Sequence, residues 1–211
     1  ARRDRSGLLL AEAYMIVHHP QWQYAKELYQ SGAIGALVQV DGVFSYNNSA
    51  DPNNIRNRPE TGGGSLPDIG VYTMGAARFV TEEEPVEIVD ANITWQNDVD
   101  VWAAVSARFP SFHFNGTTSM RMAPRQEMNF HGTKGLIRLT APFNPSVFSQ
   151  AEVALHSADM AVLTKRYPAE NHYVSQLQAF RASAYEGTPY RCPLEFSQGT
   201  QKMIDMALEK A

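Results

Sequence analysis

The chain has 211 residues, of which 44% are hydrophobic and 19% are charged, and this ordinary globular balance excludes a disordered or collagen-like protein. At this length one large domain is the default, because a single core can form comfortably whereas two full domains would be cramped. The formal net charge is −4 and the one basic cluster is Arg2, Arg3 and Arg5, so we expect no nucleic-acid partner.

Apolar runs and cysteine content bear on where the protein works. The longest apolar runs, residues 8–11 and 33–38, are far shorter than the roughly 20 residues that span a bilayer, so we expect no membrane contact. The single cysteine, Cys192, cannot form an intrachain disulfide, which fits a reducing compartment. We therefore expect a cytoplasmic protein.

The first residues predict half of an α/β unit. Residues 1–7 are typical of the basic last turn of a helix that a C-cap glycine, Gly7, closes. Residues 8–15 form an almost continuous apolar run, which is the pattern of a strand buried in a parallel sheet. Because the other half of such a unit is absent from the sequence, we interpret the chain as a fragment of a longer protein.

The next elements are a helix and a strand. Residues 21–31 show helical periodicity, and residues 36–46 alternate in the manner of a strand with Val38, Val40 and Phe44 pointing inward. After them, a polar loop over residues 51–61 leads into three consecutive glycines, which allow the backbone to pass through a tight space. A second helix is predicted from residue 66 to residue 80.

Strand-like runs dominate the second half of the chain. They lie at residues 86–95, 99–109, 112–122, 127–131, 136–140, 152–156 and 161–166. Gly132 and Gly135 fit a hairpin loop between two of these strands. Two more helices are predicted over residues 171–186 and 194–210. Together these elements predict an α+β fold, with a broad, mostly antiparallel sheet and its helices grouped on one face.

The stretch after the glycines has the most chemical content. Its structural interpretation is a helix start, with Ser65 as N-cap and Asp68 completing a capping box. Its functional interpretation is a proton-transfer pair, because Asp68 and Tyr72 are four residues apart and share one helix face. An isolated phenol has a pKa near ~10, so Tyr72 could act as a base only beside a cation, which would have to be a lysine from elsewhere.

Other signatures of cofactor and metal sites are absent from the sequence. The glycine triplet is followed by Pro67 and Asp68 where a dinucleotide-binding loop needs a glycine and a place for phosphate, so it is not a phosphate cradle. The six histidines have no ligand spacing, and we expect no metal.

Several motifs, in one order along nearly the whole chain, resemble a known family. They are Glu12-Ala13-Tyr14-Met15, His18-His19-Pro20-Gln21, Gly32-Ala33-Ile34-Gly35, the run from Gly62 to Tyr72 (GGGSLPDIGVY) and Gly132-Thr133-Lys134-Gly135. They resemble the glucose-fructose oxidoreductase, inositol dehydrogenase and rhizopine catabolism (Gfo/Idh/MocA) family. The glycine-to-tyrosine run is the most specific of them.

This resemblance implies a two-domain oxidoreductase that uses NAD or NADP and acts on the CH–OH group of a sugar, polyol or related cyclic alcohol. It implies that residues 1–15 are the remnant of an N-terminal nucleotide-binding domain, which would hold most of the cofactor. Residues 16–211 would then be the C-terminal substrate-binding and oligomerisation domain. The family's catalytic lysine lies in a Glu-Lys-Pro motif that this chain lacks.

Site roles follow from the same resemblance. Tyr72 would exchange a proton with the substrate hydroxyl, and Asp68 would orient the substrate and the lysine. Arg56, His172 and His19 would contact the substrate, although Arg56 has an equally good interpretation as a loop surface charge. Many sugar dehydrogenases of the family have an arginine two residues before the His-Pro pair, and this chain has valine there, so the substrate identity stays open.

Two function classes are compatible with the sequence. One is the catalytic half of a sugar or polyol dehydrogenase, which alone would neither bind NAD(P) appreciably nor turn over an alcohol. The other is a non-catalytic ligand-binding or oligomerisation module of the same fold. For either class we expect a homodimer or dimer of dimers through the bare sheet face, on which apolar residues are predicted at Val86, Ile88, residues 102–104, Phe112, Phe114, Met120 and Met122.

Overall fold

Across residues 2–211, eight strands and five α-helices build the fold. The computed structural model describes residues 2–211, and Ala1, which belongs to the predicted N-terminal helix end, lies outside the described residues. The helices are α1 (Arg2–Ser6), α2 (Pro20–Gln30), α3 (Val71–Thr81), α4 (His172–Glu186) and α5 (Leu194–Lys210). The strands are β1 (Leu37–Asn47), β2 (Glu87–Gln96), β3 (Val99–Arg108), β4 (His113–Ser119), β5 (Arg121–Gly132), β6 (Gly135–Leu139), β7 (Ala151–Ser157) and β8 (Val162–Tyr167).

The N-terminal segment departs from its prediction in one element. Helix α1 is followed by Gly7, whose φ of 65° is that of a left-handed C-cap, as the sequence predicted. The strand predicted over residues 8–15 does not form within the described chain: residues 8–14 are neither helix nor strand, and Leu8 is 72% exposed. A buried parallel strand needs hydrogen-bonding neighbours on its edges, and none of the strands in the described chain pairs with this segment.

The eight strands form one sheet in the order β2-β3-β4-β1-β5-β6-β7-β8. Strands β1 and β4 run parallel, and all the other neighbouring pairs are antiparallel. At the centre of the sheet, Gly42 of β1 lies opposite Gly116 of β4 and Met128 of β5. The α+β fold and the mostly antiparallel sheet are therefore confirmed, as is the tight loop between Gly132 and Gly135.

The strand predicted over residues 112–122 is in fact two strands. Strand β4 ends at Ser119 and β5 begins at Arg121, with the buried Met120 between them. The Met120 backbone N–H donates to Val101 O and its carbonyl accepts from Asn48 N–H, so both groups stay bonded while the chain crosses the end of β1. Apolar and polar residues keep alternating from β4 into β5. The sequence pattern therefore does not show where one strand ends and the next begins.

One face of the sheet packs against the helices and forms the core. Strands contribute Val40, Phe44, Phe114, Met128, Phe130, Ile137 and Val153, and helices contribute Trp22, Ala25, Met74, Ala77, Met203 and Ile204. Val38 was predicted to point inward with Val40, but it is 50% exposed. A register shift between Leu37 and Gln39 places Leu37 inward in its stead, since a bulge inverts the alternation of side chains.

The opposite sheet face is more polar than predicted. In-register positions of β3, β4, β1 and β5 on this face are Ser106, Asn115, Asp41 and Asn129. Of the apolar residues predicted here, Ile88, Phe112, Phe114 and Met120 are buried at 0–6% exposure, whereas Val86 and Met122 are 48% and 37% exposed. Polar side chains thus interrupt the predicted apolar patch, and among its described members Val86, Trp102, Ala104 and Met122 keep exposed surface.

The helices are short compared with a bilayer. Among residues 2–211 no helix combines the length and the apolar character that crossing a membrane requires.

Candidate active site

Asp68 and Tyr72 lie in a local distortion at the start of α3. Leu66–Gly70 is a single π-helical turn that continues directly into α3, and such turns occur frequently at functional sites. Ser65 is not the N-cap that the sequence predicted, because its backbone is already helical at φ −74° and ψ −35° and its side chain caps no backbone amide. The Ser65 hydroxyl instead donates to Asp100 Oδ2 at 2.7 Å.

The group that caps this turn comes from a distant strand. Asp100 of β3 is 3% exposed, and its Oδ2 also accepts the Leu66 N–H at 2.7 Å. Burial raises the pKa of Asp100, while the hydrogen bonds from Ser65 and Leu66 act in the opposite direction. No sequence pattern links residue 100 to residue 66, so local capping rules could not find this contact.

The glycine triplet joins the turn to the preceding loop. Gly63 N–H donates to Arg58 O and Gly64 N–H to Arg56 O, both at 3.0 Å. Gly64 has a φ of 133°, and a Cβ at this position would collide with Asp100 Oδ1. Since these amides are bonded within the chain and the space above Gly64 is filled by protein, the triplet does not fit a dinucleotide phosphate.

Asp68 is the centre of a hydrogen-bonded cluster. Arg56 Nε donates to its Oδ1 and the Tyr46 hydroxyl donates to its Oδ2, each at 2.6 Å. The Asp68 side chain keeps 22% of its surface exposed, and Arg56 keeps 43%. Burial and the hydrogen bond to Asp68 raise the pKa of Tyr46, so this phenol holds its proton and donates it to the carboxylate.

Tyr72 lies beside this cluster on a hydrophobic support. Its ring stacks on Tyr14 with centroids 5.6 Å apart, and its hydroxyl contacts Met15 Sδ at 3.7 Å. Burial, then Tyr173 and Asp68, raise the pKa of Tyr72 to about 12, and Arg56 acts in the opposite direction. The phenol is therefore protonated at neutral pH.

The cation that the sequence argument required is only partly supplied. Arg56 is the one cation among the charges that influence the Tyr72 pKa within the described chain, and no lysine is among them. Lys26 instead pairs with Glu82, and Lys165 lies over the ring of Tyr24. A tyrosine base at this site still needs a further positive charge.

The predicted histidines lie deeper than expected of substrate contacts. His172 is 4% exposed and its ring is 4.4 Å from that of Tyr173, while His19 is fully buried with its ring 6.0 Å from that of His172. His19 Nδ1 accepts the Gln21 N–H, which makes it the N-cap of α2. Within the part of the chain that the structure describes, His19 Nε2 and His172 Nδ1 have no hydrogen-bond partner.

Burial also sets the charge of these histidines. It lowers the pKa of His172 to about 4, and burial together with the neighbouring His172 lowers the pKa of His19 to about 4. Both are neutral at physiological pH. Within residues 2–211 no group of three or more histidine, cysteine, aspartate or glutamate side chains could hold a metal ion.

The arrangement brings together some predicted residues and adds others. Arg56 and Asp68 are in direct contact and Tyr72 is next to them, whereas His19 and His172 form a separate buried pair. Tyr46, Tyr14 and Asp100 were missed by sequence reasoning. The Tyr14-Met15 pair stood inside a recognised motif, which was the available signal, but nothing in the sequence indicated that its ring would support Tyr72.

Comparison with known proteins shows extensive similarity. Residues 22–138 match the family model described as the GFO/IDH/MocA C-terminal domain. Over 209 residues, the chain is 33% identical to an uncharacterized oxidoreductase, ORF334, of Rhizobium meliloti, a match that covers 96% of this chain and 62% of that protein. It is 27% identical to D-xylose 1-dehydrogenase (NADP(+)) 2 of Haloferax volcanii, covering 99% of this chain and 64% of the relative.

A solved structure is similar to this chain in both fold and sequence. KijD10, a 3-ketoreductase from Actinomadura kijaniata crystallised with NADP and TDP-benzene, superimposes with a TM-score of 0.83 at 26% identity. That match covers 99% of this chain and 64% of KijD10. The chain thus spans less than two thirds of the length of each of these three relatives.

Gly64→Ala tests the close contact between the triplet and Asp100. We expect it to lower the free energy of unfolding by more than about 2 kcal/mol, because the methyl group collides with a buried carboxylate at a positive φ. Gly62→Ala is the matched control, since Gly62 also has a positive φ but open space around it, and it should cost only about 1 kcal/mol. Urea denaturation measures both. Equal losses in the two variants would contradict the contact.

The buried histidines predict an acid-labile fold. Their folded pKa of about 4 lies below the unfolded value of about 6.5, so the unfolded chain binds more protons as the pH falls. Stability is full above the unfolded pKa and decreases from there toward pH 4. The urea midpoint should therefore fall across this window, and His172→Gln should flatten the fall. The exposed His113→Gln is the control, and an identical pH profile for wild type and His172→Gln would refute the argument.

Proposed function

This chain belongs to the GFO/IDH/MocA family, and from that premise we propose that it is the substrate-binding and catalytic part of an NAD(P)-dependent oxidoreductase. Its proposed substrate is an alcohol, or the corresponding ketone, of a sugar, polyol or related cyclic compound. The observation that carries the proposal is the contact of Asp68 with Arg56 and Tyr46 immediately beside Tyr72. The relatives named as a xylose dehydrogenase and a 3-ketoreductase support the same class of chemistry.

The proposed chemistry divides the work between two side chains. The Tyr72 phenol, protonated at neutral pH, donates its proton to the oxygen of a substrate carbonyl during reduction. The Asp68 carboxylate, held by two hydrogen bonds at 2.6 Å, accepts a hydrogen bond from a neighbouring substrate hydroxyl and fixes the orientation of the sugar. The partly exposed Arg56 guanidinium contacts the same substrate and favours the negative charge that develops on oxygen.

NAD or NADP would supply or accept the hydride when bound, and we propose that its phosphates bind outside this chain. The glycine triplet supports this assignment, because its amides are bonded within the chain and Asp100 fills the space beside Gly64. The described residues therefore offer no phosphate cradle there. It accords with a division into residues 1–15, the end of a nucleotide-binding domain, and residues 16–211, the substrate domain. The proposed location is the cytoplasm, whose reducing conditions suit the free, buried Cys192.

The competing proposal is a ligand-binding or oligomerisation module without activity. One observation favours it: within residues 2–211, no lysine is among the charges that act on Tyr72. The two proposals differ in what the complete protein does with a panel of sugars and polyols in the presence of NAD and NADP. Absorbance change at the nicotinamide band measures that difference.

Tyr72→Phe tests the proton-transfer role in the complete protein. We expect turnover to fall by about 100-fold with little change in cofactor affinity, because the phenol supplies a proton and no binding contact to the cofactor. Tyr185→Phe is the control, since Tyr185 is 82% exposed and its loss should leave turnover unchanged. Normal turnover of Tyr72→Phe would reduce Tyr72 to a packing residue.

The isolated 211-residue chain should neither bind NAD(P) appreciably nor oxidise any alcohol, because hydride transfer needs a cofactor held against the substrate. Fluorescence titration with NADPH and the same absorbance assay measure both properties. Dehydrogenase activity of the purified chain would overturn the proposed division of labour.

We also propose a homodimer or dimer of dimers through the sheet face opposite the helices. The family resemblance supports it, and a two-fold axis would bring the same face of both copies together. Light scattering at micromolar concentration should give at least twice the monomer mass. Thr117→Arg, at the centre of the face, should release monomers, whereas the exposed Gln201→Arg on α5 should not. A monomeric wild type would exclude this assembly.

A further inference from the structure

We propose that Asp100 is a positioning residue for the active site: its buried carboxylate holds the π-helical turn in the place from which Asp68 and Tyr72 reach the substrate. This inference rests on the proposed function in one respect, namely that Asp68 and Tyr72 do the chemistry. Asp100 would set the geometry of the Arg56–Asp68 contact whether or not these residues are catalytic.

The surroundings of Asp100 indicate a role beyond ordinary packing. A carboxylate at 3% exposure is costly to bury, and no ion pair of the described chain involves Asp100. Its hydrogen-bond donors are instead Ser65 Oγ and Leu66 N–H, both at 2.7 Å. These donors are the first groups of the turn, and a negative charge is favourable at that end of a helix.

A second hydroxyl completes the anchor on the sheet side. Thr118 Oγ1 of β4 lies 2.9 Å from Ser65 Oγ, so the start of the turn is bound to two neighbouring strands, β3 and β4. Both strands belong to the eight-stranded sheet on which α3 packs. The turn is therefore located by tertiary contacts and not by its own capping residues.

The anchor reaches the active site through a short chain of contacts. Asp68 follows Leu66 by two residues within the same turn, and its Oδ1 accepts from Arg56 Nε at 2.6 Å. Arg56 is itself bound to the glycine triplet, because its carbonyl accepts the Gly64 N–H. Gly64 in turn packs against Asp100 Oδ1, where no side chain would fit. Asp100 thus contacts both segments whose side chains meet at Asp68.

The geometry makes a specific prediction for Asp100→Asn, which keeps the volume but loses the charge. The turn should shift, and because a displacement of about 1 Å at a reacting centre can cost about 100-fold in rate, turnover of the complete protein should fall at least tenfold. The affinity for NADPH should stay within about twofold, since the turn does not hold the cofactor phosphates. Asp90→Asn, an exposed aspartate on β2, is the matched control.

A spectroscopic readout separates positioning from a general loss of stability. The Nε–H resonance of Arg56, assigned with Arg56→Lys in protein labelled with ¹⁵N-arginine, reports directly on the bond to Asp68. In Asp100→Asn it should move toward the position of a free arginine at a temperature far below unfolding, and in Asp90→Asn it should stay unchanged. If Asp100→Asn does not fold, Ser65→Ala, which removes one donor to Asp100, should give a smaller shift in the same direction.

The outcomes distinguish the two proposals. An unchanged Arg56 resonance in both Asp100→Asn and Ser65→Ala overturns the positioning role, whatever the activity. If the resonance shifts but Tyr72→Phe retains normal turnover, Asp100 still positions the turn and the proposed catalytic function fails. If the resonance shifts and Asp100→Asn and Tyr72→Phe both lose turnover, both proposals are supported.

Discussion

The close approach of α3 to the centre of the sheet is the constraint on which the rest of the structure depends. Gly42 and Gly116 are paired across β1 and β4, and Thr73 of α3 lies directly above them. A Cβ at Gly42 would be 2.6 Å from Met128 Sδ and 3.1 Å from Thr73 Cβ, so a side chain there would displace its neighbours. Because the two strands present bare backbone at this point, α3 lies deep in the fold and carries the site residues with it.

The depth of α3 also sets the electrostatic character of the site. Tyr72 is partly buried against the rings of Tyr14, Phe44 and Phe143, so its phenol keeps its proton, while Asp68 one turn earlier still reaches solvent. Two neighbouring groups on one helix thus differ in environment, which is how proteins assign different acid–base roles to adjacent side chains. The hydrogen bonds from Arg56 and Tyr46 leave the Asp68 carboxylate oriented, and substrate can still approach it.

Two kinds of buried polar group lie in the core, and they differ in how far hydrogen bonds offset the free-energy cost of burying them. Asp100 Oδ2 accepts two hydrogen bonds from the start of the π-helical turn, whereas His19 and His172 each leave a ring nitrogen without a partner among residues 2–211. The histidines avoid the penalty of a buried charge by staying neutral, since burial lowers the pKa of each to about 4. The fold therefore combines a hydrogen-bonded carboxylate, Asp100, beneath the turn with two neutral imidazoles. Protonation of these imidazoles at low pH favours the unfolded chain.

The sequence by itself determined the helices, most of the strands and the membership of the family, because these depend on local periodicity, glycine positions and motif order. It also identified Asp68, Tyr72 and Arg56 as candidate site residues, and the structure places them side by side. Only the tertiary structure decided how the turn at Leu66–Gly70 is capped, since its acceptor, Asp100, is 34 residues away along the chain. The same holds for residues 8–14, whose apolar run predicts a strand but finds no partner strand, and for Met120, where one continuous alternation conceals a crossing between strands. In each of these cases the outcome depends on the presence or absence of a partner that is distant in sequence, and a local pattern contains no information about such a partner.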